Sequence, residues 1–368
     1  MKNCLAIAFC LLVFAPVCSA EVEYAAGADG NRLVPIEAVP DACAWPMLAD
    51  LPDGSIVAVL FGKPSHGQMA GEIECWGSED GGRTWSKRGN PAPHDPGTNR
   101  MNHAFGKANN GDLLVLCSGW SDQYPEGVEG RPFRAFTLAP WVSRSRDGGR
   151  TWSIDKSQFG PDSMTLPDGT PLGIVIPFGP ISAGADGRLR ASAYFSVHMK
   201  EEPVSESHKV RRPDYALFFT SPDDGKTWTD PVFINDKPVR NETATLHLGD
   251  GVWLAAARGN GLGLYRSADD GKTWNLQEDV TGPSQHPGHL LRLKDGRLLL
   301  TYGNRKDHRI DVRFSDDEGK TWSGPLALTD FGGDGGYPAS VQREDGKVVT
   351  AYYSSVPRYA MRVVIWQP

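Results

Sequence analysis

Four residues in the second half of the chain combine chemically useful types with a spacing that brings them level. Glu242 lies eight residues before the Asp250-Gly251 dipeptide, and Arg258 lies eight residues after Asp250. Tyr337 lies eight residues before Asp345-Gly346, and Arg305 ten residues after Asp295. A carboxylate takes up protons, a guanidinium binds anions through a planar fork, and a phenol that gives up its proton is a nucleophile. If each Asp-Gly is a hairpin turn, equal counts along its two arms return to one height, at about 3.3 Å per residue. Glu242 and Arg258 then face each other at the end of one hairpin, and Tyr337 holds the position of Glu242 in another. A carboxylate, a tyrosine and two arginines at one mouth exceed what a solvated surface requires.

The elements that position them are written in two interleaved repeats. An Asp-Gly or Asn-Gly precedes an apolar run six times: DGSIVAV at 53–59, NGDLLVL at 110–116, DGRLRAS at 186–192, DGVWLAA at 250–256, DGRLLLT at 295–301 and DGKVVTA at 345–351. These dipeptides are strong hairpin signals because glycine accepts a positive φ. Five of the six units run on into S-x-D-x-G-[KR]-T-W: SEDGGRTW at 78–85, SRDGGRTW at 145–152, SPDDGKTW at 221–228, SADDGKTW at 267–274 and SDDEGKTW at 315–322. In such a turn the aspartate and hydroxyls take up backbone N–H groups, the glycine bends the chain, and the tryptophan packs on a neighbouring sheet. Asp80, Asp147, Asp223, Asp269 and Asp317 are therefore expected to be turn residues and not catalysts.

No helical periodicity follows residue 20, and strand repeats of this kind predict an all-β, six-bladed β-propeller. In an up-and-down four-stranded blade the turns joining strands 1–2 and 3–4 share one face. Both repeats thus mark a structural face, and the functional face is found by counting outward from each Asp-Gly or Asn-Gly. First arms reach it at Trp45, Asn102, Phe178, Glu242, Pro287 and Tyr337. Second arms reach it at Lys63, Trp120, Tyr194 or Ser196, Arg258, Arg305, and Tyr353 or Ser355.

Composition bounds the rest. The 368 residues include 42 Gly and 11 Trp with 39% hydrophobic residues, enough for a large core. Residues 1–20, with Lys2, an apolar run from Leu5 to Val17 and a Ser19-Ala20 end, read as a secretory signal. A lipid anchor at Cys18 ranks second. The expected organisation is a signal at 1–20 and a propeller domain at 21–368, secreted or periplasmic, without stable membrane insertion and monomeric. Loss of Lys2 moves the net charge from −7 to −8, an acidic balance that argues against general nucleic-acid binding. Cys43, Cys75 and Cys117 remain beyond the signal and allow at most one internal disulfide. With no CxxC or HExxH and nine scattered histidines, neither a metal nor another cofactor is expected.

The eight-residue repeat resembles the Asp-box of the sialidase superfamily, and the likeness covers essentially the whole chain after residue 20. RNETATLHLGDGVWLAAARG at 240–259 is similar to the sialidase segment carrying a glutamate and then a carboxylate-binding arginine. LLTYGNRKDHRIDVRFSDDEGKTW at 299–322 is similar to the segment with another such arginine, and GGYPASVQREDGKVVTAYYSS at 335–355 to that with the nucleophilic tyrosine. The resemblance implies an exo-acting glycoside hydrolase that releases a terminal, acidic sugar from a glycan. Tyr337 would be the nucleophile, Glu242 its base, and Arg258 and Arg305 the carboxylate grip. A sialic acid carries its carboxylate on the anomeric carbon, which repels an anionic nucleophile. A neutral tyrosine, with an ordinary pKa of about 10, avoids this if an adjacent base takes its proton.

The match departs from the family in the first blade. Ala44-Trp45-Pro46 replaces the R-I-P motif of the first family arginine, the next arginine falls near Lys63, and the supporting glutamate is replaced around Tyr353. The loop GKPSHGQMAGEIE at 62–74 holds no acid/base aspartate and offers His66, Glu72 and Glu74 instead. His66 is the candidate proton donor, since imidazole titrates near neutrality, with a solvated loop histidine as the plain alternative. Arg100 is a candidate for part of the missing grip, or else a salt-bridge arginine. The loops at 118–140 and 196–214 offer Trp120, Tyr124 and Trp141 for sugar stacking and Lys209, Arg211 and Arg212 for an acidic glycan. Two other functions stay open: a polysaccharide lyase using Tyr337 or His66 as base on a uronic-acid glycan, and a non-catalytic glycan-binding propeller.

Overall fold

The computed structural model describes residues 22–27, 29–123, 136–157, 159, 165, 174–196, 214–237 and 239–368. Residues 1–20, which the sequence leads one to expect as a signal, and Tyr124, Lys209, Arg211 and Arg212 lie outside the described residues. Among the described residues every regular element is a strand. After β1 (Ile36–Pro40) come six antiparallel units. The first is β2 (Ala44–Asp50), β3 (Ile56–Phe61), β4 (Ile73–Ser78) and β5 (Ser86–Ala92). The second is β6 (Thr98–Lys107), β7 (Leu113–Ser121), β8 (Phe136–Ser145) and β9 (Ser153–Asp155), and the third β10 (Ile176–Ala183), β11 (Leu189–Ser196), β12 (Asp214–Ser221) and β13 (Thr229–Phe233). The fourth is β14 (Thr243–Gly249), β15 (Val252–Arg258), β16 (Leu262–Ser267) and β17 (Asn275–Asp279), and the fifth β18 (Gln285–Arg292), β19 (Leu298–Asn304), β20 (Arg309–Ser315) and β21 (Leu326–Asp330). The sixth has three strands of its own, β22 (Gly332–Gln342), β23 (Val348–Val356) and β24 (Ala360–Trp366).

The first strands of successive units touch in order, β2 to β6, β10, β14, β18 and β22, and β22 returns to β2. The units therefore form a closed ring, a β-propeller. Its fourth outer strand in the sixth unit is β1, which pairs with β24 from Ile36 opposite Val363 to Pro40 opposite Ala360. This explains five boxes against six hairpins: the last unit takes its outer strand from the other end of the chain, so it has no 3–4 turn to build. Between the second and third units the inner strands come close enough to hydrogen-bond in parallel, Gly179 opposite Ala104 and Ile181 opposite Gly106. A side chain at Gly106 would strike the Ile181 carbonyl, so only glycine fits there.

The apolar runs after each turn are now explained. They are the second strands, β3, β7, β15, β19 and their equivalents, covered by neighbouring units on both faces. Ile56–Phe61 is buried at all six positions and Leu298–Asn304 at all seven, so alternation is absent. Each box caps a 3–4 turn as expected. In the second unit Asp147 accepts from Ser145 Oγ, the N–H groups of Arg150 and Thr151, and Thr151 Oγ1, at 2.6 to 3.0 Å. Ser145 Oγ accepts from Gly149 N–H at 2.8 Å, and Trp152 Nε1 donates to the Gly149 carbonyl at 3.0 Å. The tryptophans reach across units: Trp274 of the fourth packs edge-on against Phe218 of the third, ring centroids 5.1 Å apart.

Burial would raise the pKa of Asp147, but its hydrogen bonds outweigh that and hold it at about 2. A carboxylate lowered in the folded state stabilises above its unfolded value of about 3.9 and loses that contribution as pH falls toward the folded one. Asp147→Ala should cost about 1–2 kcal/mol in urea unfolding at pH 7. The gap to wild type should close as the pH is lowered through about 2.

Candidate active site

The face opposite the boxes is shaped by irregular inner strands. β2, β6 and β22 each carry a register shift, at Ala44/Met47, Arg100/His103 and Gly336/Ala339. Inside these shifts Trp45, Asn102 and Tyr337 take left-handed backbone conformations, with φ of 44°, 62° and 53°. These are the equivalent first-arm positions that counting selected. A non-glycine residue held there costs on the order of 1–3 kcal/mol and points to a site where the strand is turned for a purpose. Trp45, Phe178, Pro287 and Tyr337, with Ala244 and His289, line a small apolar cavity of about 10 Å³ between the inner strands.

Above it stand two linked groups of polar side chains. The first joins the fourth and sixth units. Glu242 precedes β14 and Arg258 ends β15, with the Arg258 N–H donating to the Glu242 carbonyl at 3.1 Å. Their side chains form an ion pair between Arg258 Nη1 and Glu242 Oε2. The Tyr337 hydroxyl lies 2.9 Å from each Glu242 oxygen and accepts from Arg258 Nη1 at 2.6 Å. Tyr337 and Glu242 are buried. Burial raises the Tyr337 phenol above its ordinary value, Arg258 opposes this, and the Glu242 charge adds to it. The phenol is thus a neutral group whose proton already faces a carboxylate.

The second group joins the first, fifth and sixth units. Arg305 Nη2 meets Asp334 Oδ1 at 2.5 Å, and Asp334 Oδ2 accepts from the Tyr353 hydroxyl at 2.9 Å. His66 Nδ1 lies 3.4 Å from the same Oδ2, and the Asp334 N–H donates to Ser355 Oγ at 2.8 Å. Burial would raise the Asp334 carboxyl, but His66, Tyr353 and Arg305 together hold it at about 2. Trp45 packs edge-on against His66 at 4.7 Å between ring centroids, and Arg258 and Arg305 each approach the Tyr337 ring to 5.8 Å. Asp334 was missed by counting. Its one sequence signal is its setting, GGDGG at 332–336, where a lone aspartate stands three residues before Tyr337 with no box or turn role.

The profile of the BNR repeat-like domain matches residues 54–350. The chain belongs to the BNR repeat-like family. No curated protein matches the sequence. Among solved structures, a Dyadobacter fermentans protein of unknown function superposes with a TM-score of 0.73 at 23% identity, over 91% of this chain and 98% of that one. The Hadza microbial sialidase Hz136 gives 0.66 at 20% identity, over 89% of this chain and 66% of its own. Trypanosoma rangeli sialidase gives 0.62 at 16% identity, over 94% of this chain and 57% of its own. The BNR repeat-like chain therefore shares the sialidase β-propeller fold.

Other candidates fall outside the two groups. Arg100 is buried beneath Trp141, its guanidinium 3.4 Å from the ring centre and donating to the Ala139 carbonyl at 3.1 Å. Its side chain packs within the second unit through these contacts and enters neither of the two groups described above. Trp141 is covered in the same contact and by Lys156 Nζ at 4.1 Å, so its ring is not open for sugar stacking. Trp120 is likewise buried. Lys63 holds Cys43 N–H on its carbonyl at 2.6 Å and enters no ion pair among the described residues. Glu72 and Glu74 face His94 and Lys87, at 3.3 and 2.6 Å, which leaves His66 as the member of that loop in the cluster. Cys43, Cys75 and Cys117 are free and buried. Among the described residues no group of three His, Cys, Asp or Glu is arranged to hold a metal.

Removing one member of a buried ion pair leaves the other charge uncompensated, a loss of about 3–5 kcal/mol. Arg258→Met should approach that cost in urea unfolding. Adding Glu242→Gln to it should restore a large part, because the orphaned carboxylate is then gone.

Proposed function

We propose that the chain is an exo-acting glycoside hydrolase in which Tyr337 is the nucleophile. The observation that carries this reading is the Tyr337 hydroxyl held 2.9 Å from both oxygens of Glu242, beside Arg258, at the mouth of the ring. In the first step the Tyr337 oxygen bonds to the anomeric carbon while the bond to the leaving oxygen breaks. The phenolic proton passes to Glu242, and the leaving oxygen takes a proton from His66. In the second step water attacks the same carbon and gives a proton to His66, and the departing tyrosinate recovers its proton from Glu242. Arg258 stabilises the tyrosinate as its charge develops. Asp334 faces one ring nitrogen of His66 and so positions the other for the leaving oxygen. Trypanosoma rangeli sialidase, 16% identical, is known as a covalent intermediate with 2,3-difluorosialic acid, which supports covalent chemistry on this scaffold.

Turnover of aryl glycosides and natural glycans by the purified protein tests the reading. Tyr337→Phe and Glu242→Gln should lower kcat by about 10²–10⁴ with the fold intact by circular dichroism. His66→Ala should lose a similar factor on natural glycans. It should lose far less on aryl glycosides with acidic phenols, which depart without a donated proton. An unsaturated, ultraviolet-absorbing product would identify a lyase instead. Glycan binding unchanged by Tyr337→Phe, with no turnover on any substrate, would identify a binding propeller.

A further inference from the structure

Among the described residues, the two arginines of the site are each paired with a carboxylate. Arg258 is engaged by Glu242 and by the Tyr337 hydroxyl, and Arg305 by Asp334 at 2.5 Å. Asp334 is itself fixed from several directions: Tyr353 donates to one oxygen, His66 lies against that oxygen, and Ser355 holds its backbone N–H. Those partners come from the β3–β4 loop, the stretch after β19, and β23. Trp45 packs against His66 and, at 6.3 Å between ring centroids, against Tyr353. Among the described residues, these two groups bring together two guanidinium groups, two carboxylates and an aromatic wall.

We propose that Asp334 is an internal carboxylate filling the anion slot of Arg305, so that the site takes a terminal sugar with no carboxylate at its reacting carbon. The inference rests on the glycosidase reading above and replaces the acidic sugar expected from the arginines alone. A substrate carboxylate placed on Arg305 would share one guanidinium with a second, fixed negative charge and would have to displace it. An uncharged sugar meets no such repulsion, and its hydroxyls find an acceptor in Asp334 and donors in Arg305. Asp334 in this account is a specificity residue as well as the positioning partner of His66.

The test separates the anion slot from catalysis by reading binding alone. Acetate and acetamide, equal in shape but not in charge, are titrated against wild type, Asp334→Ala and Asp334→Ser, with Tm and calorimetry as readouts. The variants should gain saturable acetate affinity at least about tenfold above wild type, with no gain for acetamide. Arg305→Met added to either variant should abolish the gain. Two small replacements guard against one of them disturbing the β22 bulge. Folded variants that gain no acetate affinity, or a wild type that binds acetate as tightly as they do, would overturn the proposal. So would faster wild-type cleavage of sialosides or uronides than of matched uncharged glycosides. Failure of the nucleophile assignment shows differently, as turnover that survives Tyr337→Phe, and leaves the acetate comparison to be decided by its own result.

Discussion

Pairing of β1 with β24 closes the ring, and the mouth depends on that closure. Glu242 belongs to the fourth unit, Tyr337 to the sixth and His66 to the first, so none is brought to the others by local chain direction. They meet because β22 packs against both β18 and β2, with β1 completing the sheet that β22 opens. The second strands are buried on both faces, so each unit is a wedge that its neighbours complete. Apolar burial of this kind is nondirectional, and the direction comes from the boxes, which set each 3–4 turn through the same few hydrogen bonds. The scaffold is thus local chemistry repeated, and the site is what a closed repeat places at its centre.

Much of this was legible in the sequence because its signals are local. Asp-Gly and Asn-Gly turns fix hairpin register, and a register with period two converts counting into height. That logic brought Glu242, Arg258 and Tyr337 together, although they lie up to 95 positions apart. It did not reveal β1, whose five residues IEAVP carry no turn signal and pair with a strand more than 300 positions away. Counting also yields height without direction. Arg100 stands at a suitable level, but the bulge that follows it at Arg100/His103 leaves its side chain under Trp141. Asp334 lies beyond the counted arm, on the far side of the Gly336/Ala339 shift, where strand periodicity no longer assigns a face.

Electrostatics reshapes the meaning of the two arginines that were legible. Read as residue types, two guanidinium groups at a mouth call for an anion. Read with their partners, each already has one, and the two carboxylates differ in use. Glu242 faces a phenol whose proton it can accept. Asp334 is held at about 2 by its partners, far below the range in which it could donate a proton near neutrality, so the proposed donor is His66. Environment, more than residue identity, separates the proposed base from a carboxylate that its partners hold ionised.

The backbone strain at Tyr337 belongs to the same argument. Its φ of 53° is unfavourable for a bulky aromatic residue and persists because the side chain is fixed at both ends. The hydroxyl is held by Glu242 and Arg258, and the ring packs against Trp45, Phe178 and Tyr353 at 5.8 to 6.1 Å. Yet Trp45 and Asn102 adopt the same conformation at equivalent places, and neither presents a phenol to a carboxylate. The strain is therefore a property of how inner strands turn at this face and was not created for one reactive residue. The repeat supplies several such positions, and the proposed chemistry lies at the one where a phenol, a carboxylate and an arginine converge.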